Sequence, residues 1–66
     1  MNEYIQRMLD EGIQLQNRVD KLEKFIRLNP IYQGLGEEKR ELMKKQLLHM
    51  RGYLNVLTQR IQLEDK

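Results

Sequence analysis

The chain has 66 residues, of which 39% are hydrophobic, 33% are charged and 6% are aromatic, and its formal net charge is +2. A chain of this length forms one small domain, and its composition is typical of helices with a narrow apolar stripe. The absence of cysteine excludes disulfides and cysteine-based zinc sites, and the single histidine, His49, excludes sites with several histidine ligands. No apolar run approaches the roughly 20 residues of a membrane span and no signal-peptide pattern is present, so we expect a cytoplasmic protein.

Three consecutive segments are predicted: a helix, a turn and a second helix. The first helix is expected over residues 3–28, with Asn2 as its N-cap. Pro30 disfavours helical geometry at the residue before it, and with two nearby glycines it indicates a turn over residues 29–36 that contains one short helical turn. The second helix is expected over residues 37–63. The sequence therefore predicts a single helical domain without internal repeats.

Apolar residues recur at alternating spacings of three and four in both helices, which is the seam of a coiled coil. The seam residues are Ile5, Met8, Gly12, Leu15, Val19, Leu22 and Ile26 in the first helix and Met43, Leu47, Met50, Leu54, Leu57 and Ile61 in the second. When the chain is folded back at the turn, seam residues face each other in consecutive layers. The predicted fold is therefore all-α, an antiparallel two-helix hairpin that resembles a coiled coil. Gly12 interrupts the seam, either to admit a ligand or another backbone or as a tolerated small residue.

Two cross-helix pairs beside the seam follow from the same register. Glu23 is expected to face Lys44 in an exposed ion pair worth about 0.2–1 kcal/mol. Tyr4 is expected to face Arg60 in a cation–π contact of about the same strength. These pairs provide a check on the alignment of the two helices.

One outer side of the hairpin carries a second stripe, here called the mixed face, in which aliphatic, aromatic and charged residues alternate. Its members are Tyr4, Arg7, Glu11, Gln14, Arg18, Lys21, Phe25, Leu28, Leu42, Gln46, His49, Tyr53, Val56, Arg60 and Leu63. A lone two-helix hairpin buries only one face of each helix, and ordering costs roughly 1.5 kcal/mol per residue. We therefore expect the mixed face to drive homo-oligomerisation into a helical bundle, either a four-helix dimer or a larger ring.

Charge is distributed unevenly along the chain. Residues 42–63 contain no aspartate or glutamate, although they include the four cations Lys44, Lys45, Arg51 and Arg60. This segment is either an ordinary solvated helix or a positive surface for an anionic partner.

The residue types needed for catalysis are nearly missing. Serine is absent, Thr58 is the only threonine, and His49 and Glu11 have no nucleophile or metal-ligand set beside them. We therefore expect neither enzymatic activity nor a metal or cofactor.

Ligand binding is better supported. A nucleotide site without a phosphate-binding loop needs flat aromatic groups for the base and cationic side chains for the phosphate. Six residues of the mixed face supply both, namely Tyr4, Arg7, Arg18, Lys21, Tyr53 and Arg60. The alternative is that these are interface residues whose long stems cover apolar neighbours.

Three segments resemble a family of small bacteriophage proteins known from crAss-like phages. They are YIQRM at residues 4–8, LxxRxxKLxxFI at 15–26 and QLxxMxxYxxxLxxRI at 46–61. The likeness covers nearly the whole chain. The architecture is also similar to the helical-hairpin sponges that phages use against CBASS and Thoeris immunity, which oligomerise and sequester cyclic nucleotide signals without cleaving them.

The resemblance implies that Tyr4 stacks on a base and that Arg7, Arg18 or Lys21 holds phosphates. It predicts a non-catalytic anti-defence sponge that binds a cyclic or ADP-ribose-derived nucleotide at protomer interfaces in the cytoplasm of an infected bacterium. The alternatives are an RNA-binding four-helix dimer and a purely structural or protein-binding coiled coil. A sponge needs an enclosed pocket between protomers, whereas an RNA-binding dimer needs a continuous basic strip.

Overall fold

The computed structural model describes residues 3–64 and contains three helices in chain order. These are α1 (Glu3–Leu28), α2 (Pro30–Gln33) and α3 (Glu37–Glu64). Helices α1 and α3 pack against each other, which confirms the predicted all-α hairpin. Helix α3 ends one residue beyond the predicted boundary. The predicted N-cap, Asn2, lies outside the described residues.

The predicted seam forms the core of the hairpin, and every seam residue is buried or half-buried. Leu15, Val19 and Leu47 form the central buried cluster, and Leu57 is only 1% exposed. Gly12 faces α3, where an added Cβ would lie 3.8 Å from Cδ2 of Leu57, an ordinary van der Waals distance. Within one protomer, the glycine is therefore a tolerated small residue rather than a point of close backbone approach.

The connection is fixed by local capping. Asn29 has an extended backbone, and its Oδ1 accepts a hydrogen bond of 2.9 Å from the backbone N–H of Ile31. This is an N-cap, and Pro30 occupies the first helical position, where its missing N–H and fixed φ are tolerated. The N–H of Gly34 closes α2 by donating to the carbonyl of Ile31 at 3.1 Å.

Tyr32 anchors the connection to the two long helices. It is 4% exposed, and its hydroxyl donates to the backbone carbonyl of Arg40 over 3.4 Å. Its ring also meets that of Phe25 edge-on, with centroids 6.1 Å apart and planes at 80°. This aromatic pair ties α2 to the last turn of α1, while the hydroxyl ties it to the start of α3.

The two cross-helix pairs have different outcomes. Tyr4 and Arg60 do meet, joined by a hydrogen bond of 2.8 Å. The predicted Glu23–Lys44 pair is wrong, since Glu23 pairs with Arg51 instead. The ammonium of Lys44 lies 3.5 Å from Glu41, which is one turn away on its own helix.

The hairpin is long and thin. Its principal extents are 47 × 15 × 13 Å and its radius of gyration is 15.0 Å, against about 11 Å for a compact globular chain of this length. A large share of both long helices therefore faces solvent. No helix within residues 3–64 is long and apolar enough to cross a membrane.

Candidate functional site

The mixed face is exposed along the hairpin. Leu63 is 67% exposed, Val56 57% and Tyr53 53%. Leu28 and Leu42 are also large apolar residues in contact with solvent. The described part of the chain thus leaves a row of aliphatic and aromatic side chains uncovered on the side that carries the six candidate ligand-binding residues.

Three of those six residues lie at the open end of the hairpin. Nη2 of Arg60 donates to the hydroxyl of Tyr4 at 2.8 Å, which orients the tyrosine. Nη2 of Arg7 lies 2.8 Å from Oε1 of Glu3, one turn away. Because the Arg7–Glu3 pair is highly exposed, it contributes at most about 1 kcal/mol and can be exchanged for a phosphate contact.

Two more candidates, Arg18 and Tyr53, lie at the middle of the mixed face. They line a depression together with Glu11, Gln14 and Leu15, here called the central depression, whose volume is about 80 Å³. Ligand sites in proteins typically enclose about 300–1,000 Å³. In one protomer the central depression can therefore hold part of a nucleotide, and a complete site requires a second wall.

The sixth candidate, Lys21, is three residues after Arg18 on α1 but does not line the central depression. It lines a larger, open depression of about 470 Å³ at the turn end of the hairpin. This turn-end hollow is bounded by Lys21, Lys24, Phe25, Leu28, Asn29 and Pro30. The six predicted residues thus share a face, but they lie at three places along it rather than in one pocket.

Sequence analysis missed several residues of the turn-end hollow. The heptad pattern assigns Lys24 to solvent rather than to the mixed face, so the sequence did not indicate that Lys24 lines a depression together with Phe25. Asn29 and Pro30 were interpreted only as turn residues. The available signal was the spacing of Lys21, Lys24 and Phe25, which places all three on adjacent sides of one helical turn just before the chain reverses.

The described residues include no group of three or more histidine, cysteine, aspartate or glutamate side chains arranged to hold a metal ion. His49 lies on the solvent-exposed surface of α3. The chemistry that this face offers is therefore stacking, hydrogen bonding and charge pairing.

Comparison with known families identifies the chain. Residues 2–63 match the family described as Sequestin. The chain belongs to the Sequestin family. No curated protein and no solved structure matches the chain significantly.

The name of the Sequestin family denotes sequestration, that is, binding and retention of a molecule rather than its conversion. This agrees with the coarse prediction of a sequestering protein. The nature of the ligand, the phage origin and the immune pathway stay predictions.

Proposed function

We propose that this protein is a phage anti-defence sponge that binds a cyclic or ADP-ribose-derived nucleotide signal in the cytoplasm of an infected bacterium and retains it unchanged. The observation that carries the proposal is the placement of Arg18 and Tyr53 in one depression. A guanidinium suits a phosphate and a tyrosine ring suits a base, so the pair matches the two chemical parts of a nucleotide. Membership of the Sequestin family supports retention rather than cleavage.

The binding site is proposed to be completed by a second copy of the chain. The protein exposes 5420 Å², whereas a globular chain of 8.1 kDa exposes roughly 4,500 Å². The excess of roughly 900 Å² is close to the ~800 Å² that each partner buries in a standard interface. Because Val56 and Leu63 are exposed on the same face as Tyr53, pairing through this face would cover apolar surface and enclose the central depression.

Two-fold pairing would also double the binding groups. In an isologous interface each protomer presents the same patch, so Arg18 and Tyr53 would be supplied twice. Each stacked base contributes about 1–3 kcal/mol and each charge-assisted phosphate contact about 1.5–3 kcal/mol. Two of each would give roughly 5–12 kcal/mol before ordering costs, which is sufficient for a retained ligand.

Glu11 bears on the choice of ligand, because its side chain lines the same depression as Arg18. A carboxylate repels the phosphate groups of a ligand, but it accepts hydrogen bonds from ribose hydroxyls and from the exocyclic amines of bases. The combination of Glu11, Arg18 and Tyr53 therefore favours a small nucleotide that exposes its sugar and base edges.

The RNA-binding alternative has weaker support. Of the cations in residues 42–63, Arg51 is paired with Glu23 and Lys44 with Glu41, so part of the positive strip is neutralised. The cations of α3 thus do not form the continuous unpaired strip that a phosphate backbone requires.

Isothermal titration calorimetry with a panel of cyclic dinucleotides and cyclic ADP-ribose isomers tests the proposal. Tyr53→Ala and Arg18→Gln should each weaken binding about tenfold or more, because each removes about 1.5 kcal/mol or more. Lys44→Gln is the matched control, since this lysine is paired on the opposite flank, and it should bind like wild type. The ligand released by heating should have its original mass. Release of a linear product, or no binding below about 0.1 mM, would contradict the proposal.

A further inference from the structure

The turn-end hollow has features that the central depression lacks. At about 470 Å³ against about 80 Å³ it is the larger of the two, and it is open to solvent rather than enclosed. Its lining combines two cations, an aromatic ring and aliphatic carbon, all contributed by residues 21–30 of one chain. One protomer therefore supplies all of these lining groups.

The two ammonium groups in the hollow are uncompensated. Lys21 and Lys24 are three residues apart, so they lie on one side of α1. Within residues 3–64 neither has a carboxylate oxygen within 4.0 Å, whereas Arg7, Lys44 and Arg51 each have one. The C-terminal end of α1 carries roughly half a negative charge, which two unit positive charges exceed. The residues that line the hollow therefore carry a net positive charge.

The apolar wall of the hollow is held in place. The ring of Phe25 rests edge-on against that of Tyr32, which is itself buried and hydrogen-bonded to the carbonyl of Arg40. Asn29 caps α2 through its bond to Ile31, and the ring of the following proline fixes the backbone there. A rigid wall lowers the ordering cost of binding, because the protein does not have to rearrange.

We propose that the turn-end hollow is a second nucleotide site, formed by residues of one protomer, in which Phe25 contacts the base while Lys21 and Lys24 hold the phosphate. The proposal rests on the proposed function for the class of ligand, but it assigns that ligand a place separate from the central depression. A 5′-mononucleotide matches the lining because it joins one flat apolar group to one dianionic group. An aromatic ring or a phosphate alone would use only half of the site.

Nuclear magnetic resonance titration of the full chain with adenosine 5′-monophosphate tests this site. The backbone amide signals of residues 21–30 should shift and saturate, while adenosine and inorganic phosphate should each bind about tenfold more weakly or worse. The double variant Lys21→Gln, Lys24→Gln should weaken binding of the monophosphate about tenfold. Phe25→Leu, which keeps an apolar side chain but removes the ring, should weaken the monophosphate more than inorganic phosphate.

The matched control is the double variant Lys44→Gln, Lys45→Gln, which makes the same change in net charge on α3. It should alter the affinity less than about twofold. Equal losses of affinity for the monophosphate in the two double variants would show unspecific charge attraction and overturn the proposal. Circular dichroism on each variant confirms that helix content is retained, so a loss of binding is not a loss of fold.

The result also separates this site from the proposed function. If the monophosphate shifts only signals near Arg18 and Tyr53, and the wild-type chain retains cyclic nucleotides in calorimetry, the second site is wrong and the sponge stands. If the monophosphate binds at residues 21–30 but no cyclic nucleotide is retained in calorimetry, the hollow is a nucleotide site on a protein that is not a sponge. Shifts of residues 21–30 with protein concentration alone would show that a second copy occupies the hollow, which also overturns the proposal.

Discussion

Arg60 donates a hydrogen bond of 2.8 Å to the hydroxyl of Tyr4, which joins two residues near opposite ends of the chain. This bond closes the open end of the hairpin and places an aromatic ring and a guanidinium side by side on the mixed face. It also reports the alignment of the long helices, because a slip of one turn would separate the pair by about 5 Å.

The Tyr4–Arg60 pair provides the first prediction. Tyr4→Phe keeps the ring and removes the hydroxyl, so we expect the free energy of unfolding to fall by about 0.5 kcal/mol, the low end for a hydrogen bond, since the pair is exposed. Nucleotide affinity should be nearly unchanged in Tyr4→Phe but fall in Tyr4→Leu, because stacking requires the ring. Urea denaturation and calorimetry provide the two measurements. Equal affinities for the Phe and Leu variants would remove Tyr4 from the binding site.

Tyr32 provides the second prediction. Tyr32→Ala should destabilise the hairpin by about 3–5 kcal/mol, because it removes a buried ring that packs against Phe25. Tyr32→Phe keeps the ring and should cost only about 0.5–1 kcal/mol, since the bond to the Arg40 carbonyl is long. Denaturant titration followed by circular dichroism measures both. If the two variants were equally destabilised, the hydroxyl rather than the ring would be the anchor.

Gly12 provides the third prediction. Gly12→Ala should raise the free energy of unfolding by about 1 kcal/mol, because alanine is the better helix former and its methyl group fits beside Leu57. Gly52→Ala is the matched control, since an added Cβ there meets nothing within 4 Å and should give a similar gain. Thermal melts at one fixed protein concentration provide the comparison, because assembly makes the midpoint depend on concentration. If Gly12→Ala lowered the free energy of unfolding while Gly52→Ala raised it, the result would mean that a ligand or a second copy approaches the backbone of Gly12.

The mixed face provides the fourth prediction. The double variant Val56→Glu, Leu63→Glu should dissociate the proposed assembly, because unpaired charges would be buried between protomers at a cost of several kcal/mol. Ile13→Glu, Leu48→Glu is the matched control, since both residues are exposed to a similar degree but belong to the opposite side of the hairpin. Light scattering measures the mass of each variant. A wild-type mass of one chain, or equal dissociation by both variants, would contradict assembly through the mixed face.

The sequence contained enough information to predict the hairpin because its apolar spacing is regular in both helices. Val19 and Leu47, both predicted to lie in the seam, belong to the same buried cluster. The short helical turn in the connection could also be predicted, since Asn29 before Pro30 is a local signal that depends on no distant contact. Both features depend on residues that are close together in the sequence, namely the helical spacing of apolar residues and the cap before Pro30.

The anchoring of the turn by Tyr32 and the composition of the two depressions could not be predicted from the sequence in this way. Tyr32 lies outside the seam, so its burial depends on how the turn folds back onto Phe25. The choice of Arg51 over Lys44 as the partner of Glu23 depends on side-chain length and on the competing carboxylate of Glu41, which helix register does not determine. Lys21 and Arg18 are neighbours on α1 but line different depressions, which likewise follows from side-chain placement around one helix.

Native mass spectrometry with a panel of cyclic nucleotides tests the central claim most directly, because one spectrum reports the number of chains and the mass of the bound molecule. We predict an assembly of at least two chains that carries a nucleotide of unaltered mass, and loss of that nucleotide in the Arg18→Gln and Tyr53→Ala variants. Single chains without ligand, or a complex that contains a hydrolysed nucleotide, would contradict the account.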